Sequence, residues 1–158
     1  LDLSVRQAGV QAILLEDIRW GRCDIKSVNL LANVLARQRA KEAGVFEAIL
    51  LRDGAVTEGS VSNVMVVQNG TILTAPEGPR ILSGVTRAKV LELAKKEGIP
   101  VAETVVRRED LLGASEVFLT GTTVEVLPVV RVDGQAIGPA VPGPMTQLLS
   151  RRWEALLG

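Results

Sequence analysis

The stretch from residue 63 to 74, Asn-Val-Met-Val-Val-Gln-Asn-Gly-Thr-Ile-Leu-Thr, carries the strongest fold signal in the sequence. Two β-rich runs flank the pair Asn69-Gly70, and a tight two-residue hairpin turn needs positive φ at both of its central positions, which Asn and Gly tolerate best. The stretch therefore predicts an antiparallel hairpin with strands at 63–68 and 71–74. Another pair of this kind, Asp133-Gly134, predicts a second hairpin over residues 125–137.

The rest of the chain alternates strand-like and helix-like segments and contains no internal repeat. Further strands are predicted at 10–15, 48–51, 101–106 and 116–120. Helices are predicted at 27–43, 86–97, 108–113 and 145–157. One predicted face of the first helix carries Val28, Leu31, Leu35 and Gln38. Because hairpins outnumber parallel crossovers, the pattern favours an α+β fold with a mixed, largely antiparallel sheet over a doubly wound parallel sheet.

Composition limits the possible classes of protein. The 158 residues are enough for one domain with a real core, and 47% hydrophobic with 23% charged residues at zero net charge is typical of a globular protein. The charge balance gives no basic surface for nucleic acid or an anionic membrane, and no apolar run approaches the roughly 20 residues of a membrane span. The single cysteine, Cys23, excludes an internal disulfide and suits a reducing cytoplasm.

The absence of histidine narrows the chemistry that this chain can perform. A Ser-His-Asp triad, a Cys-His pair and any histidine-containing metal site cannot form within it, and no metal site is expected. Acid–base chemistry is left to lysine, to carboxylates or to Cys23.

Two glycine- and hydroxyl-rich junctions are candidates for binding an anion. Residues 83–86, Ser-Gly-Val-Thr, directly precede a predicted helix, where free backbone N–H groups and the positive end of the helix dipole attract a phosphate. Residues 120–123, Thr-Gly-Thr-Thr, follow a predicted strand and can form a second nest of N–H and hydroxyl donors. Helix capping and a polar turn are the simpler explanations of each alone, but two such junctions in one small domain favour a phosphate ligand.

A carboxylate and a lysine stand out beside these junctions. Glu58 lies among small hydroxyl residues in the run 56–63, Val-Thr-Glu-Gly-Ser-Val-Ser-Asn, just before a predicted buried strand. Lys26 lies in the run 22–27, Arg-Cys-Asp-Ile-Lys-Ser, just ahead of a predicted helix, where the dipole disfavours a cation. On spacing alone, a solvated surface side chain explains each of them.

The order of these four runs resembles the fold-type IV enzymes that depend on pyridoxal 5′-phosphate (PLP). Residues 17–27, from Asp-Ile-Arg-Trp to Lys-Ser, look most like D-amino-acid aminotransferases, and the resemblance covers essentially the whole chain. It implies a barrel-like sheet with helices packed outside. One departure is Val61, which replaces the middle serine of the Thr-Glu-Gly-Ser-Ser-Ser-Asn run typical of those enzymes.

The resemblance implies a role for each matching residue. Lys26 corresponds to the catalytic lysine, which forms a Schiff base with PLP and shuttles the Cα proton. Glu58 corresponds to the partner of the pyridine nitrogen, and Leu82 packs on one face of the ring. Ser62 and Asn63 support the glutamate. The implied phosphate-binding residues are Gly84, Val85, Thr86, Gly121 and Thr122.

The resemblance also implies an organisation and a reaction. Residues 1–158 correspond to the larger, C-terminal domain, and a small N-terminal domain lies outside this chain. The whole enzyme is expected to be a cytoplasmic homodimer that transfers an amino group between an amino acid, such as D-alanine, and a 2-oxo acid. The chain alone is expected to be inactive, because most substrate-carboxylate contacts and an arginine for the phosphate come from the missing portion.

Three alternatives stay open. Branched-chain aminotransferase and aminodeoxychorismate lyase share the fold, but the sequence around their lysine differs from the run 22–27. The third alternative is of another class: a non-catalytic phosphate-binding or interaction module in which Lys26 and Glu58 are surface charges.

Overall fold

The computed structural model describes residues 2–158, within which nine strands and five helices follow one another along the chain. The strands are β1 (Val10–Glu16), β2 (Glu47–Arg52), β3 (Ala55–Gly59), β4 (Asn63–Gln68), β5 (Thr71–Thr74), β6 (Val101–Glu103), β7 (Glu116–Gly121), β8 (Glu125–Val132) and β9 (Gln135–Ala136). The helices are α1 (Leu3–Ala8), α2 (Leu31–Glu42), α3 (Val85–Lys96), α4 (Arg108–Leu112) and α5 (Pro144–Leu157). None of these helices is long and apolar enough to cross a membrane.

All nine strands belong to one sheet, which curls into a half-barrel. The strand order is β3-β2-β1-β8-β7-β4-β5-β6, and β9 pairs with β8 beside this path. Three pairings are parallel, namely β1–β2, β1–β8 and β5–β6. The other five are antiparallel. The predicted α+β class with a mixed, largely antiparallel, barrel-like sheet is confirmed.

Both predicted hairpins form, and their turns have the expected backbone. Asn69 and Gly70 join β4 to β5 with φ of 49° and 75°, and Asp133 and Gly134 join β8 to β9 with φ of 48° and 76°. Such turns twist in the same sense as the strands that they connect, so the two dipeptides set the register of both hairpins.

The core lies on both faces of the sheet, which explains why β4 is apolar along its length. Val64 and Val66 point into one cluster, which is shared with β7 and β8. Met65 and Val67 point to the opposite face, against α3 and α5. Each of these side chains is at most 3% exposed, so each contributes about 1.5–3 kcal/mol by burial. The strand therefore fixes one wall of the domain.

The predicted strand at 101–106 is too long, because the chain leaves β5 after Thr104 to reach the opposite edge of the sheet. The Thr104 amide donates to the Thr74 carbonyl at 2.9 Å, whereas the Val106 carbonyl accepts from Val56 on β3 at 2.8 Å. Since β3 and β6 are the two edges of the sheet, this segment links them and supports the half-barrel.

The predicted helix at 27–43 begins four residues late, and its predicted apolar face is the wrong one. Leu31 and Leu35 are 70% and 49% exposed, while Ala36 and Ala40 pack against β2. Small alanine side chains let the helix axis approach the sheet closely, which the periodicity of the larger residues concealed. Residues 27–30 instead form an irregular segment, in which the Asn29 amide donates to Ser27 Oγ at 3.2 Å.

Two elements had no counterpart in the sequence prediction. Helix α1 is one and a half turns long and buries none of its residues. Strand β3 follows a turn at Asp53-Gly54 and pairs antiparallel with β2. Glu58 therefore lies on a fully buried strand rather than in a loop.

Candidate active site

One cavity of about 270 Å³ gathers every residue that the sequence singled out. It opens where the ends of β3 and β7, the beginning of α3 and the loop between β1 and α2 meet. The predicted residues around it are Lys26, Glu58, Ser62, Asn63, Leu82, Gly84, Val85, Thr86, Gly121 and Thr122. They come from four separate parts of the chain, so their meeting at one cavity is a property of the fold.

Lys26 lies on the exposed part of the loop between β1 and α2 and contributes a primary amine to the cavity. Two hydrogen bonds to backbone carbonyls connect the loop to the segment before α3. The Cys23 amide donates to the Pro79 carbonyl at 2.8 Å, and Arg19 Nη2 donates to the Arg80 carbonyl at 3.0 Å. These contacts hold the lysine-bearing loop beside Leu82 and the start of the helix.

Glu58 contributes a buried carboxylate, which is 5% exposed. Its oxygens accept hydrogen bonds from Asn63 Nδ2 at 3.0 Å, from the Leu82 amide at 3.1 and 3.2 Å, and from the Arg19 guanidinium. Burial raises the pKa of Glu58 to about 6, although the positive charge of Arg19 and these donors oppose the increase. The carboxylate is thus fixed in orientation and remains an anion at neutral pH.

Asp17 holds the arginine that contacts Glu58. Its carboxylate accepts from Arg19 Nε at 2.9 Å and Nη2 at 2.8 Å, and from Thr57 Oγ1 at 2.8 Å. Burial favours the neutral acid, but the hydrogen bonds and charge of Arg19 outweigh it and bring the pKa of Asp17 to about 2. Both residues belong to the run 17–27, but no role was predicted for them, because a charged pair two residues apart is typical of a solvated surface.

Ser62 supports the glutamate strand indirectly, through a second buried carboxylate. Ser62 Oγ donates to Glu47 Oε2 at 2.9 Å, and Glu47 also accepts from the Ser60 hydroxyl and from the Ser60 amide at 3.2 Å. A Cβ at Gly59 would collide with Ser62 Oγ and press on Glu47, so the turn after Glu58 needs glycine. Sequence patterns gave no signal for Glu47, because its partners Ser60 and Ser62 lie beyond the next strand, in the connection between β3 and β4.

The start of α3 offers free backbone donors to the cavity. Gly84 is the N-cap, no side chain caps the helix, and Val85 and Thr86 form its first turn. A Cβ at Gly84 would collide with Asn63 Oδ1, so glycine lets the helix start close to Glu58 and Asn63. These exposed N–H groups suit an anion.

The end of β7 supplies the opposite wall. Thr120 is fully buried, and its Oγ1 has no hydrogen-bond partner among the residues that the structure describes. Because buried hydroxyls are normally paired, this atom indicates a polar ligand in the cavity. Gly121 and Thr122 continue from it into the turn before β8. An amine, a fixed carboxylate and two sets of anion donors therefore face one space.

The sequence profile of the family described as Amino-transferase class IV matches residues 5–132. The chain belongs to the class IV aminotransferases. Among curated relatives, it is 54% identical over 142 residues to D-alanine aminotransferase of Bacillus licheniformis, covering 90% of this chain and 50% of that protein. It is 45% identical to D-alanine aminotransferase of Listeria innocua, with 89% and 49% covered.

Solved structures of other class IV aminotransferases share the fold of this chain. The PLP form of the branched-chain amino acid aminotransferase from Thermobaculum terrenum matches at a TM-score of 0.88 and 30% identity, covering 94% of this chain and 51% of that one. The branched-chain enzyme from Thermoproteus uzoniensis with norvaline matches at 0.86 and 31%, with 96% and 52% covered. The chain spans about half the length of the curated relatives and solved structures that it matches.

Proposed function

We propose that this chain is the larger, cofactor-holding domain of a PLP-dependent aminotransferase that exchanges amino groups between a D-amino acid, such as D-alanine, and a 2-oxo acid. The proposal rests on one observation. Lys26, Glu58 and the donor-rich start of α3 line the same cavity. When bound, PLP supplies an electron sink for the carbanion that forms when the substrate loses its Cα proton. The residues around the cavity fit this group.

Each of these residues has a separate task. Lys26 would hold the cofactor through its amine and, once released, would move the Cα proton, since this chain contains no histidine that could do so. Glu58 is an anion that favours a protonated ring nitrogen. Leu82 lines the cavity and would pack on the ring, and Asn63 and Ser62 keep the glutamate strand in place. The donors proposed for the phosphate are Gly84, Val85, Thr86, Gly121 and Thr122, together with the unpaired hydroxyl of Thr120.

A D-amino acid is the proposed substrate because curated relatives at up to 54% identity are D-alanine aminotransferases. Branched-chain L-amino acids are the second candidate, because the solved structures with the same fold include branched-chain aminotransferases at 30–34% identity. The higher sequence identity supports the D-amino acid as the first candidate.

We also propose a small N-terminal domain, a homodimer and a cytoplasmic location for the whole protein. The half-length match to the relatives supports a further domain. Exposed apolar side chains on α2, with Leu31 at 70% and Val34 at 60%, offer a surface for a second copy. A single free thiol, Cys23, suits a reducing compartment.

The test uses the full-length gene product. Its absorption spectrum with PLP is compared with that of free PLP, and its activity is assayed in parallel with D-alanine, L-leucine and aminodeoxychorismate. We expect a bound yellow chromophore and the highest turnover with D-alanine. A colourless protein that is inactive with all three substrates would favour the non-catalytic module, and highest turnover with L-leucine would select the branched-chain enzyme.

A further inference from the structure

A chain of buried charges runs from β2 to Glu58. Arg52 Nη2 contacts Asp17 Oδ1 at 3.1 Å, Asp17 holds Arg19 through two hydrogen bonds, and Arg19 Nη1 contacts Glu58. The side chains of Asp17, Arg19 and Glu58 are 0%, 5% and 7% exposed. Charges of opposite sign alternate along this chain, so each buried charge is compensated by its neighbour.

Arg19 contacts a different carboxylate with each edge of its guanidinium. Nε and Nη2 face Asp17, and Nη2 also donates to the Arg80 carbonyl at 3.0 Å, which leaves Nη1 for Glu58. The planar guanidinium fixes these directions relative to one another, so the contact with Asp17 also sets the direction of the contact with Glu58. A lysine ammonium at this position could not reproduce both.

Three donors hold the Glu58 carboxylate, and each of its oxygens accepts from two of them. Oε1 accepts from Arg19 and Oε2 from Asn63, while the Leu82 amide is shared between the two oxygens at 3.2 and 3.1 Å. Asn63 and the Leu82 amide are neutral donors, and Arg19 is the cation in direct contact. Other titratable groups near Glu58 are Asp17 and Cys23, which lie on the loop that carries Arg19. Arg52 and Glu47 on β2 and Lys26 at the cavity complete the set.

We infer that Arg19, oriented by Asp17, is a positioning residue that keeps Glu58 ionised and fixed in orientation for the ring nitrogen of the cofactor. This inference rests on the proposed function and deepens it. Asp17 compensates the arginine, so the positive charge next to the ring stays small. The pair thus sets how strongly Glu58 attracts a proton on the ring nitrogen.

Two substitutions in the full-length holoenzyme have opposite expected effects. Burial already raises the pKa of Glu58 to about 6. Arg19→Gln removes the opposing cation, so the acidic limb of the kcat profile and the pH midpoint of the bound-cofactor spectrum should rise by about 1 unit or more. Asp17→Asn removes a nearby anion, so both midpoints should fall. A purely structural role would weaken the protein in both variants without moving the midpoints in opposite directions.

Two further variants complete this comparison. Arg19→Lys keeps the charge but not the fork, so the spectral midpoint should return toward that of wild type while turnover stays low. Arg22→Gln is the matched control, because Arg22 forms an exposed ion pair with Asp24, and its midpoint should stay unchanged. If Arg19→Gln does not fold, Asp17→Asn still decides. An unmoved midpoint in Asp17→Asn would overturn the inference.

A double-mutant cycle separates this inference from the proposed function. If Arg19 acts through Glu58, Arg19→Gln should slow turnover strongly in wild type but less than about threefold in a Glu58→Gln background, because coupled residues are not additive. Full additivity of the two losses overturns the role of Arg19 and leaves that of Glu58 standing. A Glu58→Gln enzyme with wild-type turnover and spectrum refutes the proposed role of Glu58 at the ring nitrogen, and with it the inference about Arg19.

Discussion

Two arginine–aspartate pairs lie within eight residues of each other on the loop between β1 and α2, and they behave differently. Both Arg19 with Asp17 and Arg22 with Asp24 join residues two apart through Nε and Nη2, at 2.8–2.9 Å. The side chains of the first pair are 5% and 0% exposed, and those of the second are 57% and 36% exposed. The same local sequence pattern therefore yields a buried clamp in one place and a solvated pair in the other.

Their surroundings explain the difference. The Asp17 amide bonds the Leu51 carbonyl at 2.7 Å, so the loop begins as a continuation of the sheet, and Thr57 and Arg52 close over the pair. After Trp20 the loop turns outward, and Lys26 follows the exposed pair. The first half of the loop fixes a charge against Glu58, whereas the second half leaves an amine accessible at the cavity. The proposed transamination needs both, since the carboxylate would stay in place while the lysine exchanges partners.

The largest expected effect belongs to the exposed half of the loop. Lys26→Ala in the full-length enzyme removes the proposed attachment point and proton carrier, so turnover should fall by about 10⁴-fold or more, the upper range for a positioned acid–base group. Circular dichroism should show an intact fold, because Lys26 is exposed. Lys95→Ala, at an exposed position on α3, serves as the control and should keep wild-type turnover. Substantial activity in Lys26→Ala would contradict the role of the exposed half.

The next largest effect is expected on stability, which urea unfolding of variants at the two aspartates measures. Asp17→Ala leaves Arg19 buried without its partner, so the free energy of unfolding should fall by about 3–5 kcal/mol. Asp24→Ala breaks an exposed, solvent-screened pair and should leave the free energy of unfolding almost unchanged. Equal losses in both variants would show that burial is not what separates the pairs.

Features that depend on neighbouring residues could be predicted from the sequence, whereas features that depend on contacts between distant segments could not. Asn69-Gly70 and Asp133-Gly134 determined hairpins locally, because the turn conformation depends on those residues themselves. The apolar face of α2 was misjudged and β3 was missed, because burial there depends on contacts with β2. Among site residues, motif resemblance indicated Lys26 and Glu58.

Supporting residues were harder to predict than motif residues. Arg19 and Glu47 depend on partners 39 and 13–15 residues away, namely Glu58 in the first case and Ser60 and Ser62 in the second. No local pattern encodes such distances. Only the curled sheet, which brings β1, β2 and β3 together, shows that these charges are buried and paired.

Lowering the pH should remove what the buried Asp17–Arg19 pair contributes to the free energy of unfolding. The pKa of Asp17 is about 2 in the fold, below its ordinary value of 3.8, so its stabilisation is present above pH 3.8 and is lost as pH falls through 2. The contribution amounts to roughly 2 kcal/mol. Unfolding free energies of wild type and Asp17→Asn, measured from pH 5 down, should therefore converge at the acid end. Parallel curves would contradict a lowered pKa.

Glu58 should show the opposite dependence, over a different range. Its pKa is raised from 4.5 to about 6, so its contribution to stability is greatest below pH 4.5 and is lost as pH rises through 6. The difference is roughly 2 kcal/mol. In the cofactor-free full-length protein, Glu58→Gln should remove this decline between pH 4.5 and 7. A decline that persists in the variant would have to come from another group.

The lysine to which the cofactor attaches is the most direct test of the proposed site. The full-length protein loaded with PLP is reduced with borohydride, digested and mapped by mass spectrometry, which shows which lysine carries the pyridoxyl group. We expect a label on Lys26, the amine that the exposed half of the loop presents to the cavity beside Glu58. A label on Lys41, Lys89, Lys95 or Lys96, or no label on this chain, would contradict the proposed site.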